Sequence, residues 1–173
     1  MKNEYIAYKG IRIELFDGEW VENANEKDFG IKTYFEENDG YTIVYADVAV
    51  SKKVRKINFV FELNMPGVEN ALVHSSLKSA IKPVSECEDV QNNKYFFSAF
   101  DNNGKGLTFC NKIPARFDSN IIFHKEETKK IELQTVIPYS FEGSFTTEKF
   151  IISPYTDYAS ALKYSAESAG VKK

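Results

Sequence analysis

A chain of 173 residues with 22 basic and 25 acidic side chains, and so a formal charge of −3, has the length for one domain with a sizeable core, residues 1–173 forming a single unit. Its Lys and Glu are interspersed rather than gathered into the basic stripe that meets nucleic acid or an anionic membrane, and no run approaches the roughly 18 apolar residues of a spanning helix. Aromatic residues make up 14%, with 14 Phe and 10 Tyr, a composition suited to pleated, half-buried sheet surfaces.

In chain order, IAYKGIRIELFDGEWVE alternates Ile11, Ile13 and Leu15 with Arg12 and Glu14 and turns at Asp17-Gly18, which predicts two short antiparallel strands. A second hairpin joins IKTYFE to YTIVYADVAV through Asp39-Gly40. In its second arm both faces are apolar, with Tyr41, Ile43 and Tyr45 on one and Val44, Ala46 and Val48 on the other, as in a central strand covered on two sides. KINFVFEL alternates again and ends at Asn64-Met65-Pro66-Gly67. From Val68 to Asn93 the pattern blurs, and the expectation there is one weak strand around Ala71–His74 within loop. KYFFSAF and LTFCNKI flank a turn at Asp101-Asn102-Asn103-Gly104, and SNIIFHKEE adds another strand.

The terminal unit begins with KKIELQTVI, where Ile131, Leu133, Thr135 and Ile137 share one face and Glu132 and Gln134 the other. KFIIS follows, and Ser153-Pro154-Tyr155 reads as a turn. TDYASALKYSAESAG then predicts a helix over about 156–169, with Tyr158, Ala161, Leu162, Ala166 and Ala169 on one stripe, Thr156 or Asp157 as N-cap and Gly170 beyond its end. Roughly ten strands joined by Asp-Gly and Asn-Gly turns, with no helix between them, exclude a parallel βαβ fold. The predicted class is mostly β: an antiparallel β-sandwich, supersandwich-like, with one C-terminal α-helix.

The chemistry-bearing residues do not assemble into a catalytic motif. His74 and His124 stand 50 positions apart, each in strand-like surroundings. Glu36-Glu37, Glu86, Glu88, Asp89 and Glu126-Glu127 occupy charged, turn-like stretches where solvated carboxylates are the rule, whereas a glycosidase needs two carboxyls about 5 to 9.5 Å apart. No Gly-x-Ser-x-Gly elbow occurs, and Gly104 and Gly106 lack the third glycine and following helix of a dinucleotide loop. Cys87 and Cys110 fit no metal spacing and are too few for a disulfide framework. They could pair across strands. The opening MKNEYIAYKG has no apolar leader core, so the expectation is two reduced thiols in a cytoplasmic protein with no metal and no cofactor. Sugar rings present apolar C–H faces that stack on aromatic side chains, and this makes Trp20, just past a hairpin turn, and Tyr34 the candidate carbohydrate contacts.

The order of a final β-meander, the Ser153-Pro154-Tyr155 turn, an Asp157-initiated helix with Ala161, Leu162 and Tyr164, and then Gly170-Val171-Lys172-Lys173 resembles the domain junction of melibiase-type α-galactosidases, glycoside hydrolases with raffinose-synthase-like relatives. In that family an N-terminal β-sandwich leads through such a helix into a (β/α)₈ catalytic barrel. The resemblance implies a non-catalytic accessory domain that shapes the edge of a sugar site or an oligomer interface. Its partners would be carbohydrate and a catalytic barrel of the same parent chain, with Tyr155, Leu162 and Tyr164 at the junction. The barrel's catalytic aspartates and its Gly-Trp-x-Ser-Trp-like segment are absent here, and a barrel needs about 250 residues, so no catalytic residue is carried over. The alternative is a free-standing carbohydrate- or protein-binding module. An independent small enzyme comes third, since no paired histidine, cysteine or nucleophile motif supports one.

Overall fold

A computed structural model describes residues 5–49, 54–64, 72–75, 78–94, 96–101, 106–112, 116–125 and 130–155. Fourteen strands occur among the described residues: β1 (Ile6–Leu15), β2 (Trp20–Val21), β3 (Ile31–Asn38), β4 (Tyr41–Val48), β5 (Val54–Leu63), β6 (Leu72–Ser75), β7 (Lys78–Pro83), β8 (Val90–Asn93), β9 (Phe96–Phe100), β10 (Gly106–Asn111), β11 (Asp118–His124), β12 (Lys130–Val136), β13 (Phe145–Thr146) and β14 (Phe150–Tyr155). They form two antiparallel sheets. One has six strands in the order β2-β1-β5-β12-β11-β8; the other has eight, in the order β13-β4-β14-β10-β9-β6-β7 with β3 also on β4.

The two inner faces make the core. Across the six-stranded sheet, strand pairing lines up Ile11, Phe59, Leu133 and Ile121 in one row and Tyr8, Phe61, Ile131 and Phe123 in the next. The inner face of the other sheet carries Val44, Phe150, Ile152, Phe109 and Phe97, which belong to the same buried cluster. Aromatic pairs close the gap between the sheets: Phe97 stacks on Phe123 with ring centroids 4.8 Å apart, Phe59 meets Phe150 edge-on at 6.4 Å, and Phe61 lies 6.5 Å from Phe109. Such rings dominate core energetics because each buries a large apolar area and adds a directional ring–ring attraction.

A β-bulge in β1 sets which side chains face outward. Tyr8 pairs with Phe61 and Gly10 with Val60, so Lys9 is the extra residue, and Gly10 takes a φ of +112°. Tyr8 and Ile11 therefore both point inward although three positions apart, and Arg12 is delivered to the outer face.

Several expectations are corrected. The described residues contain strands and short 3-10 turns at Glu26–Phe29 and Val84–Glu86, but no α-helix. The helix expected over 156–169, with Leu162 and Tyr164, lies outside the described residues. Ser153-Pro154-Tyr155 is not a turn but the end of β14. Proline is accepted there because β14 pairs with β4 only as far as Ile152, and Pro154 is paired on the β10 side alone. Between Val68 and Asn93 the weak strand expected around Ala71–His74 is β6 (Leu72–Ser75), but the remainder, expected as loop, also holds β7 and β8; short strands rich in Lys, Ser and Asn carry too little apolar alternation to register as such. KKIELQTVI and KFIIS are not neighbours in a meander: β12 sits inside the six-stranded sheet and β14 inside the eight-stranded one.

At the β9–β10 pairing, a Cβ on Gly106 would lie 1.9 Å from the Ala99 carbonyl oxygen and 2.8 Å from its carbon. Both are backbone atoms and cannot swing aside. Gly106→Ala is therefore expected to cost about 3 kcal/mol, at the upper end for forced overpacking, read as a drop in the denaturation midpoint. A loss under about 1 kcal/mol would show that the two strands part freely.

A buried charged network on the outer face of the six-stranded sheet

The outer face of the six-stranded sheet is organised by register. Arg12 pairs with Asn58, Asn58 with Gln134 and Gln134 with Asn120, giving a row of planar polar side chains across β1, β5, β12 and β11. The adjoining row places Val60, Glu132, Ile122 and Asn92 side by side. Outward residues in this region are nonetheless buried: Asn58 and Glu132 are each 1% exposed, Gln134 5% and Asn120 7%. These side chains hydrogen-bond laterally to one another, and this part of a face that alternation assigns to water is largely closed to it.

Glu132 is the centre of this network. One carboxylate oxygen accepts from Arg12 Nη1 at 2.5 Å and from Asn58 Nδ2 at 3.3 Å, and the other meets His124 Nε2 at 2.6 Å. Arg12 also donates Nε to both oxygens of the exposed Glu22, at 2.9 and 2.7 Å, so a single guanidinium bridges a buried and a solvated carboxylate. Burial by itself would raise the Glu132 pKa, but the hydrogen bonds from His124, Arg12 and Asn58 and the Arg12 charge outweigh it and hold the carboxyl down at about 2. Next to the network, Asn120 donates to Gln134 at 2.8 Å.

Trp20 lies at the edge of this face. It pairs with Glu14 on β1, and its ring is covered by the Arg12 guanidinium, 4.4 Å from the ring centroid, with Lys56 Nζ at 5.9 Å. Such cation–π contacts fix the plane of the indole. Glu14, only 8% exposed, receives Arg55 at 2.7 Å and Lys56 at 3.4 Å.

Tyr34, the other candidate sugar contact, is on the opposite side of the molecule. It pairs with Tyr45 across β3 and β4 and stacks on it with centroids 5.1 Å apart at 18°. With Lys32, Asp47, Arg116 and Thr146 it lines an open groove. The Tyr45 hydroxyl donates to Glu36, which raises its pKa to about 12. The structure thus separates Trp20 and Tyr34 onto different sheets. The side chain of Tyr155, and all of Leu162 and Tyr164, lie outside the described residues.

His124, read from the sequence as strand-like, is the last residue of β11. It is largely buried against Glu132, and the two were placed together by the β11–β12 pairing, in which His124 opposes Lys130 and Ile122 opposes Glu132. Two ionisable residues in adjacent hairpin arms were the signal available in the sequence. The side chain of His74 is not described. Cys87 belongs to the main core, whereas Cys110 joins Ile43 and Ile151 on the outer face of the eight-stranded sheet, so the cross-strand disulfide does not form; burial raises the Cys110 thiol to about 12, leaving it unreactive. Among the described residues no group of three or more His, Cys, Asp or Glu is placed to hold a metal ion, and no helix is long and apolar enough to cross a membrane.

No family model and no curated protein matches the chain. Among solved structures it is similar to the α-galactosidase from Lactobacillus brevis, at 10% identity and a TM-score of 0.41 over 92% of this chain and 31% of that one. It is also similar to the GH36 α-galactosidase AgaB from Geobacillus stearothermophilus, at 9% identity and a TM-score of 0.41 over 92% of this chain and 31% of that one. A variant of AgaA from the same organism, in complex with raffinose, gives 9% identity and a TM-score of 0.41 over 90% and 31%. The chain spans about a third of the length of the structures it matches.

Proposed function

We propose that this chain is a non-catalytic, carbohydrate-binding β-sandwich of an α-galactosidase-like glycoside hydrolase, with the Trp20 edge of the six-stranded sheet's outer face as its sugar-binding surface. The observation that carries this reading is the placement of the half-buried Trp20 at the edge of this face, its indole plane fixed by the partly exposed Arg12 guanidinium, which also holds the exposed Glu22 carboxylate. A pyranose offers an apolar C–H face to an aromatic ring and a rim of hydroxyls to charged donors and acceptors, and Trp20 with Arg12 and Glu22 supplies both. A non-catalytic role agrees with the state of Glu132: both oxygens are engaged and the carboxyl is held anionic, the reverse of the raised pKa a glycosidase acid requires.

Trp20 is the single tryptophan of the chain, so its fluorescence reports this surface and nothing else. Titration with α-galactosides is expected to give a saturable change in emission with no hydrolysis of a nitrophenyl α-galactoside. A Trp20→Phe variant, which keeps a smaller ring, should bind several-fold more weakly by calorimetry, and Trp20→Ala should not bind measurably. An emission spectrum indifferent to every galactoside would refute the reading.

A further inference from the structure

Behind Tyr139, at the end of the same sheet, lies a cleft of about 320 Å³ that the Trp20 face does not include, walled by Phe16, Tyr139, Phe141 and Phe145 and floored by Val54 and Ile137. This volume falls within the range of small-ligand pockets. The exposed Glu142 also lines it. Tyr139 is 63% exposed, yet its ring is held in place by Phe16, with centroids 5.3 Å apart, and by the Arg55 guanidinium at 4.6 Å. An exposed aromatic ring fixed by its neighbours is a prepared contact surface, since little side-chain freedom is left to lose on binding.

The cleft is joined to the Trp20 face by one carboxylate. Glu14 is bound by Lys56, which also approaches the Trp20 ring, and by Arg55, which covers Tyr139. The two aromatic platforms therefore flank Glu14, each tied to it through one cation. A purely apolar ligand would gain nothing from the Glu142 carboxylate or from this charged link, whereas a sugar residue uses an aromatic face and polar rim groups together.

We infer that the Tyr139 cleft is a second sugar subsite, so that the protein takes an oligosaccharide spanning Trp20 and Tyr139 rather than a single sugar. This rests on the sugar-binding reading above. The test is calorimetric titration of the whole chain with galactose and with the tetrasaccharide stachyose. Stachyose is expected to bind at least tenfold more tightly. Tyr139→Ala should abolish that gain and leave galactose affinity within twofold, and Tyr139→Phe should retain it; the exposure of Tyr139 leaves the fold intact in both. If galactose and stachyose bind equally, or if Tyr139→Ala changes neither, the second subsite is refuted while the Trp20 site stands. If neither sugar binds, both proposals fail. A hydrophobic dye that occupies the cleft, is lost in Tyr139→Ala and is not displaced by stachyose would identify an apolar-ligand groove and overturn the inference.

Discussion

Replacing Glu132 by alanine is expected to destabilise the protein by about 3–5 kcal/mol, because it removes the shared partner of Arg12, His124 and Asn58 from a site that water scarcely enters. Arg12 keeps Glu22 as a partner, so the orphaned groups are chiefly the His124 ring and the Asn58 amide. The same residue sets a pH dependence. Its carboxyl is depressed from an ordinary 4.5 to about 2. A carboxyl depressed in the fold contributes stability that is fully present above its unfolded pKa and is lost as pH falls through the folded one. Glu132 should therefore supply about 3 kcal/mol at neutral pH, lost progressively from about pH 5 down to pH 2. Urea melts of the parent chain and Glu132→Gln across that interval check the sign. The parent should lose stability steeply and the variant less so, whereas parallel curves would show that other carboxyls govern acid unfolding.

The second large effect belongs to Phe123. Its ring is fully buried and stacks on Phe97 from the facing sheet at 4.8 Å, so the pair joins β11 to β9 across the core. Phe123→Ala should cost about 3–5 kcal/mol through lost burial and the cavity left behind. Combining it with Phe97→Ala should show a coupling of about 0.5–1.5 kcal/mol, the ring–ring contribution beyond area. Additive losses measured by denaturation would mean that the two rings fill space independently.

The hairpin signals were legible because they are local. Asp17-Gly18 does connect β1 to β2, with Gly18 at a φ of +88°, and Asp39-Gly40 connects β3 to β4, with Gly40 at +83°; glycine reaches such angles at little cost. The two-faced apolar pattern of YTIVYADVAV also corresponds to a real feature. Val44, Ala46 and Val48 enter the main core, and Tyr41 and Tyr45 pack on the separate cluster around Ile43, Cys110 and Ile151. Trp20 follows its turn into β2, where the Arg12 guanidinium covers its ring. The pairing of Arg12 with Glu132 was not readable, since the two are 120 positions apart in the chain.

Strand alternation and turn chemistry by themselves determined that this protein is antiparallel β, because both depend on contacts between residues a few positions apart. What only the tertiary structure decided is which strands become neighbours: β1 joins β5, β5 joins β12, and the apparent terminal meander divides between two sheets. That choice brought Arg12, Asn58, Glu132 and His124 together and buried polar side chains that a strand in isolation would leave in water. The physical reason is that period-two alternation distinguishes one side of a strand from the other but carries no information about the strand beside it. Whether an outward glutamate is solvated or enclosed depends on the length and charge of the side chains its neighbours supply.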